Sequence, residues 1–264
     1  MTDDLITYEL KGNVALIGLN RPDKRNAINE GLLNALAAAA IRAGGEARAA
    51  VLFGHGRNFS AGLDLAWLAE RIRPGAPYQK PYIGSLWHRT FNLISRGPIP
   101  FVAALHGPVI GGGLELASAA HIRVAADNTV FGLPEGQRGI FVGGGGTVWV
   151  QRIVGNATMT DMMLTGRILN AEEARNVRIA QYVEPAGTEK EKALQLATRI
   201  AENTPTTNWQ ITNLLPRMND MSHEDGLFME FLNSNMMKPP ETIGRLSAFL
   251  DGKSPLPLDK KKAD

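Results

Sequence analysis

The chain of 264 residues is 44% hydrophobic and 20% charged with a formal charge of +2 at pH 7, which is apolar enough for one large domain and too near neutral to point to nucleic acid. It has no Cys, which excludes disulfides and thiolate metal sites, and its five His, at positions 55, 88, 106, 121 and 223, show no paired metal-ligand spacing, so no metal is expected. No apolar run reaches the roughly 18 residues of a membrane span, and the start Met1-Thr2-Asp3-Asp4 is acidic where a secretory signal is basic, so a cytoplasmic protein without membrane contact is expected.

Ile6 to Leu10 and Asn13 to Leu19 read as two strands around a turn at Lys11-Gly12, with the β-branched Val14 and Ile17 in the second. Asn20-Arg21-Pro22-Asp23-Lys24-Arg25-Asn26-Ala27-Ile28 is a loop by its Pro and Asn/Asp content, and Asn29 caps a helix from Glu30 to about Arg42. Lys24 and Arg25 put two cations on that loop, either as solvated charge or as a contact for a phosphorylated ligand. Ala49 to Gly54 has the apolar character of a buried strand, and the order strand, strand, helix, strand favours an α/β fold. In Arg57-Asn58-Phe59-Ser60-Ala61-Gly62-Leu63-Asp64-Leu65 small residues again follow a strand and precede a helical stretch, a place for backbone N–H groups to face a ligand.

Arg71 to Tyr82, with Pro74, Pro77 and Pro81, lacks periodicity and reads as a loop or lid. From Ile83 to Ile94 the spacing of Leu86, Trp87, Phe91 and Ile94 is that of a buried helix face, so Trp87 is core first and pocket lining second. Phe101 to Leu105 is a strand that leads to Pro108-Val109-Ile110-Gly111-Gly112-Gly113-Leu114-Glu115-Leu116-Ala117. Three glycines strip a turn of side chains, a helix opens at once, and its unpartnered N–H groups favour negative charge. Glu115 sits in the first turn; on this stretch alone a capped helix and an anion site are equally supported.

Ile122 to Ala125 is a short strand, and Thr129 to Glu135 followed by Gly139 to Thr147 sets a second carboxylate, Glu135, in a turn bordered by Pro134 and glycines. The rest is helical in pattern, over Met159 to Leu164, Ala171 to Asn176, Lys190 to Glu202, Thr207 to Met218, Glu224 to Met237 and Pro240 to Leu250, with a strand-like break at Ala180 to Val183. Met229, Met236 and Met237 read as fillers of helix contacts, and Lys260-Lys261-Lys262 as a solvated end.

Two glycine-bordered turns, near Leu63 and Gly112, can aim two N–H groups at one oxygen, while Glu115 and Glu135 stand near the atoms beyond it. Paired N–H donors stabilise a carbonyl oxygen as it becomes an oxyanion. Paired carboxylates in a dry site take different protonation states, one as base and one as acid. This is the chemistry of proton and water transfer beside a carbonyl.

At these residues the chain resembles the crotonase superfamily of enoyl-CoA hydratases and isomerases. The resemblance rests on Asn20-Arg21-Pro22 with Asn26-Ala27, Phe59-Ser60-Ala61-Gly62-Leu63-Asp64, Gly111-Gly112-Gly113-Leu114-Glu115-Leu116-Ala117, Phe131-Gly132-Leu133-Pro134-Glu135 and Gly143-Gly144-Gly145-Gly146-Thr147, in the family's order. It implies an α/β spiral of ββα units over residues 1–195 that holds the active site, and a helical region over 196–264 for packing into a homotrimer or a hexamer of two trimers. It implies an acyl-CoA thioester as substrate and no separate cofactor, CoA being part of the substrate.

Carried over by position, the resemblance gives the oxyanion hole to the N–H groups of Leu63 and Gly112, and catalysis to Glu115 and Glu135, with Glu115 favoured as base and Glu135 as acid and the reverse assignment open. Contacts to CoA fall to Lys24, Arg25, Ala27, Ser60, Ala61, Gly62, Asp64 and Leu65, with Trp87 and Gly143 beside the acyl group. Leu63 stands where alanine is typical, which narrows or reshapes the acyl pocket, and Val142 where proline often precedes the glycine run. The activity implied is hydration of a trans-2-enoyl-CoA, with isomerisation or aromatic hydratase-lyase chemistry as alternatives. A non-catalytic RNA-binding role finds no basic, aromatic-rich stripe. A phosphate loop at Gly143 to Gly146 lacks the following Gly-Lys-Ser/Thr.

Overall fold

A computed structural model of the chain describes residues 4–75, 80–236 and 242–252. It opens with an antiparallel hairpin of β1 (Ile6–Lys11) and β2 (Val14–Leu19), Ile6 facing Leu19 and Lys11 facing Val14. A 3-10 turn at Pro22–Lys24 leads to α1 (Glu30–Glu46), capped by the Asn29 side chain, which accepts from the Leu32 N–H at 3.0 Å. The helix continues past Arg42 to Glu46 because Ala39, Ala40 and Ala43 keep its inner face buried. Then come β3 (Ala49–Gly54), α2 (Leu65–Ile72), α3 (Lys80–Ser95), β4 (Phe101–Leu105), β5 (Pro108–Ile110), α4 (Gly112–Ala119), β6 (Ile122–Ala126) and β7 (Val130–Gly132). They are followed by α5 (Gly146–Thr165), β8 (Ile168–Asn170), α6 (Ala171–Asn176), β9 (Tyr182–Glu184) and α7 (Glu189–Ala201).

The larger sheet has the order β1-β2-β3-β4-β6-β9, parallel from β2 onward, and a smaller one has the order β5-β7-β8. Side chains alternate across the central strands, and both faces are covered, as parallel sheets require. Ala15, Ile17, Ala50, Leu52, Ala103 and Leu105 face the main core with α1, α3 and α4. Val14, Leu16, Val51, Val102, Ala104 and Val124 face the other way, against Ala193, Ala197 and Ala201, one stripe of α7 at helical spacing.

Three differences from the sequence expectation have local causes. β5 and β8 are three residues each, too short to show a period, and exist by pairing with β7. α5 begins at Gly146 rather than Met159, directly on the glycine run, and changes direction at Gly155, whose φ is 78°. The expected lid, Arg71 to Tyr82, is helical at both ends, Arg71 and Ile72 closing α2 and Lys80 to Tyr82 opening α3. Residues 76–79 of that lid, Met237, the side chain of Met236 and the lysine-rich tail lie outside the described residues.

The chain forms two compact units, Met1–Pro205 and Thr206–Asp264. The second consists of α8 (Pro205–Met218), α9 (His223–Met236) and α10 (Thr242–Leu250), with Gln210 of α8 donating to Asn233 of α9 at 3.2 Å. Among the described residues no helix is long and apolar enough to cross a membrane.

Candidate active site

The cationic loop is held by one asparagine. After the 3-10 turn, Arg25 and Asn26 take φ values of 53° and 52°, a left-handed conformation that Asn tolerates better than most residues. Asn26 is fully buried; its Nδ2 donates to the carbonyls of His55 and Asn58 at 2.9 and 2.8 Å, and its Oδ1 accepts from the Arg21 N–H at 2.8 Å. The loop is thereby fixed to the segment that leaves β3.

That segment is zipped to the loop along its length. The Ala61 N–H donates to Arg25 O at 2.9 Å, the Ser60 hydroxyl to Asn26 O at 2.8 Å, the Ile28 N–H to Gly62 O at 2.7 Å and the Asp64 N–H to Ile28 O at 2.9 Å. Ile28 therefore bonds to both neighbours of Leu63 and leaves the Leu63 N–H facing the other side. Asp64 caps α2 through the Trp67 N–H at 3.2 Å and accepts from the Arg21 guanidinium at 3.1 Å.

The second glycine turn meets the first backbone to backbone. Ser60 bridges Val109, with the Ile110 N–H donating to Ser60 O at 3.1 Å. Gly111 turns the chain into α4 at a φ of 54°, and a Cβ on Gly113 would stand 2.5 Å from Ser60 O. A Cβ on Gly62 would likewise run into Ile110 O and stand 3.0 Å from Gly112 N, so no side chain fits between the turns. Among the described residues neither the Leu63 N–H nor the Gly112 N–H, the first of α4, has an acceptor.

Leu63 and Gly112 both line a cavity of about 140 Å³, with Trp67 and Leu68 of α2, Ile83, Gly84 and Trp87 of α3, the loop Ile140 to Gly144, and both Glu115 and Glu135. Trp87 is core and wall at once: it is 6% exposed, packs edge-on against Phe91 at 5.4 Å, and lines the cavity.

Glu115 lies in the first turn of α4, a helix buried on every side, and its Oε1 accepts from the N–H groups of Gly144 and Gly146, both at 2.8 Å. Burial pushes its carboxyl above the ordinary range, and those two donors oppose the shift by favouring the anion. Glu135 opens the 3-10 turn Gly136–Arg138, and a Cβ on Gly111 would lie 2.6 Å from its Oε1. It is 6% exposed, and its Oε2 has no hydrogen-bond partner among the described residues. Burial first, and the nearby charge of Glu115 after it, raises its pKa to about 7. The pair thus has one member whose anion is held by N–H donors and one poised to carry a proton at neutral pH.

The structure brings Leu63, Trp87, Gly112, Glu115, Glu135 and Gly143 to one cavity. Lys24 and Arg25 are exposed on the loop, and Ala27, Ser60, Ala61, Gly62, Asp64 and Leu65 belong to the zipped segments beside Leu63, outside the cavity wall. Sequence reasoning did not single out Trp67, Leu68, Gly84, Ile140 or Phe141; the apolar run Ile140 to Val142, bounded by glycines, was the one available signal. Among the described residues no cluster of three or more His, Asp or Glu is placed to hold a metal.

The family model described as enoyl-CoA hydratase/isomerase matches residues 9–238. A crystal structure from Rhodopseudomonas palustris CGA009, provisionally named an enoyl-CoA hydratase, superposes with a TM-score of 0.88 at 44% identity, covering 94% of this chain and 95% of its own. The enoyl-CoA hydratase of Bacillus anthracis superposes with a TM-score of 0.86 at 28% identity, covering 96% of this chain and 98% of its own. The 2,3-dehydroadipyl-CoA hydratase of Escherichia coli K12 is 34% identical over 250 residues, 92% of this chain and 94% of that protein.

Proposed function

Because this chain belongs to the enoyl-CoA hydratase/isomerase family, we propose that it is a hydro-lyase that adds water across the 2,3-double bond of a trans-2-enoyl-CoA. The observation that carries this reading is the meeting, in one cavity, of two N–H groups with no acceptor among the described residues and two buried carboxylates in unlike settings, Glu115 held by two N–H donors and Glu135 with an oxygen that no described group bonds.

The thioester oxygen accepts hydrogen bonds from Leu63 and Gly112, which draws electrons from the conjugated double bond. The Glu115 carboxylate takes a proton from water as the water oxygen bonds to Cβ. The electron pair of the double bond moves into an enolate whose oxygen the two N–H groups hold. Glu135 then gives its proton to Cα, and proton exchange between the two glutamates restores the starting state. Dehydration runs the same steps backwards. The cations Lys24 and Arg25 face the CoA phosphates, and the chain around Ala27 and from Ser60 to Leu65 takes the rest of the cofactor-like handle of the substrate.

The experiment is a panel of trans-2-enoyl-CoA thioesters assayed for loss of the conjugated thioester absorbance. Hydration of at least one supports the reading, and unchanged absorbance across the panel overturns it. The donor role of Leu63 has its own check. Leu63→Pro, which removes the N–H, is expected to lower kcat for crotonyl-CoA by about 10²–10³-fold. Leu63→Ala, which keeps the N–H, is expected to stay within a few-fold of wild type. Equal losses in both variants would assign the effect to the side chain instead.

The helices α8 to α10 carry exposed apolar side chains, among them Phe228 and Phe231 at 61% and Leu250 at 82%. Surface of this kind marks an assembly face, and in this reading it joins identical chains into a trimer or a hexamer. Light scattering should then return three or six times the 28.5 kDa chain mass, and a monomer would refute it.

A further inference from the structure

Four glycines line the cavity, Gly84, Gly112, Gly143 and Gly144. Packing demands two of them: a Cβ on Gly112 would lie 2.7 Å from the Trp87 ring, and one on Gly144 would lie 2.8 Å from Trp87 and 3.2 Å from Glu115 Oε2. Gly143 belongs to the loop whose N–H groups face Glu115. Gly84 is different. It lies within a helix, α3, whereas Gly143 lies in a loop; at both, φ is not positive and, apart from chain neighbours and the helix's own backbone, no described atom comes within 4 Å of the place a Cβ would take. Glycine is among the poorest helix formers, so among the described residues neither backbone nor packing calls for it here. It leaves room in the wall between Ile83 and Trp87.

The size of the cavity gives that room a use. About 140 Å³ is close to the roughly 150 Å³ that holds a benzene ring in an engineered protein interior. A crotonyl group with its carbonyl oxygen nearly fills such a space, so a longer acyl group must continue past the wall. Phe141, another wall residue, is 70% exposed and marks the cavity as open to solvent on that side. The charged side chains of the wall are the two glutamates alone, with no Lys, Arg or His among its described residues. A carboxylate at the end of an acyl group would find no cationic partner in that wall.

We propose that Gly84 sets the acyl limit of this enzyme: an uncharged acyl group longer than crotonyl leaves the cavity across the bare face of α3 at Gly84. This rests on the hydratase reading and adds to it the class of acyl group accepted.

The test compares Gly84→Ala and Gly84→Leu with wild type on crotonyl-CoA, trans-2-hexenoyl-CoA, trans-2-decenoyl-CoA and 2,3-dehydroadipyl-CoA. Gly84→Leu is expected to lower kcat/KM for decenoyl-CoA by at least about tenfold, mostly through KM, with crotonyl-CoA within about threefold and Gly84→Ala in between. Melting temperature should not fall, because Ala and Leu are better helix formers than Gly. Wild type should favour hexenoyl-CoA over the carboxylate-ended thioester of the same length by at least about tenfold.

Unchanged decenoyl-CoA kinetics in Gly84→Leu, equal losses on crotonyl-CoA, or a wild type that hydrates crotonyl-CoA and nothing longer would overturn the role of Gly84. Equal use of hexenoyl-CoA and 2,3-dehydroadipyl-CoA would overturn the restriction to uncharged groups. If wild type hydrates none of the four, the hydratase reading falls, and calorimetric binding of butyryl-CoA and decanoyl-CoA decides the Gly84 question. Loss of decanoyl-CoA affinity alone in Gly84→Leu then supports it, and unchanged affinity overturns it.

Discussion

Glu135→Gln is expected to lower hydration of crotonyl-CoA by about 10²–10⁴-fold, the usual weight of a positioned acid or base, with little change in structure. The two side chains match in shape, and Glu135 Oε2 makes no hydrogen bond that the fold would lose. What disappears is a proton source held near pH 7 by burial and by the charge of Glu115. The pH dependence follows from the same shift. The acid is present below about 7 and lost above it, so kcat/KM of the wild type should fall on the alkaline side, the profile reporting the glutamate pair rather than one residue.

Stability carries the same mark. The unfolded carboxyl ionises near 4.5 and the folded one near 7, so between these values the unfolded chain binds fewer protons. Stability contributed by this group is fully present below about 4.5 and declines as pH rises to about 7, and Glu135→Gln should flatten that decline in a series of denaturant titrations. A variant with wild-type activity and an unchanged pH profile would remove Glu135 from the mechanism.

Glu115 should show two separable effects. In Glu115→Gln the amide oxygen still accepts from the Gly144 and Gly146 N–H groups, so the glycine loop keeps its anchor while the base is gone. Activity should drop by about 10²–10⁴-fold with stability near wild type. Glu115→Ala also loses the base and strips two buried donors of their acceptor, which costs about 1–3 kcal/mol for each group left unsatisfied. Its denaturation midpoint should fall clearly below that of Glu115→Gln, whose residual activity it should share. Equal stability in the two variants would show that the loop is held by something else. The double change at Glu115 and Glu135 should be little worse than the more damaging single change, because the two groups act as a unit.

The backbone geometry of the site was legible in the sequence wherever it depends on glycine. Gly62, Gly111, Gly112 and Gly113 stand where the backbone must come close or turn left-handed, and no other residue fits there, so the requirement is written directly into the chain. The main strands were legible for a similar reason: β3 and β4 are buried on both faces and read as unbroken apolar runs.

Features made by distant partners were not. Asn26 looks like an ordinary loop residue until the carbonyls of His55 and Asn58 arrive beside it. The start of α5 is hidden by Gly143 to Gly146, which disfavour a helix locally, and it forms against the packed side of α4 where Glu115 accepts from its first N–H. Gly84 was passed over because a single glycine in a helical pattern has no local signature of a cavity.

The two N–H groups proposed to bind the thioester oxygen, at Leu63 and Gly112, belong to the peptide chain rather than to any side chain. A point mutation at codon 63 that does not introduce proline leaves its donor in place, while the side chain there and the empty position at Gly84 are free to vary. In this reading the oxygen donors are backbone atoms and the acyl preference lies in side chains, so even one residue, Leu63, carries the two separately. Substitutions in α2, α3 and the loop at Ile140 to Val142 would then reshape the cavity wall and leave the two backbone donors in place.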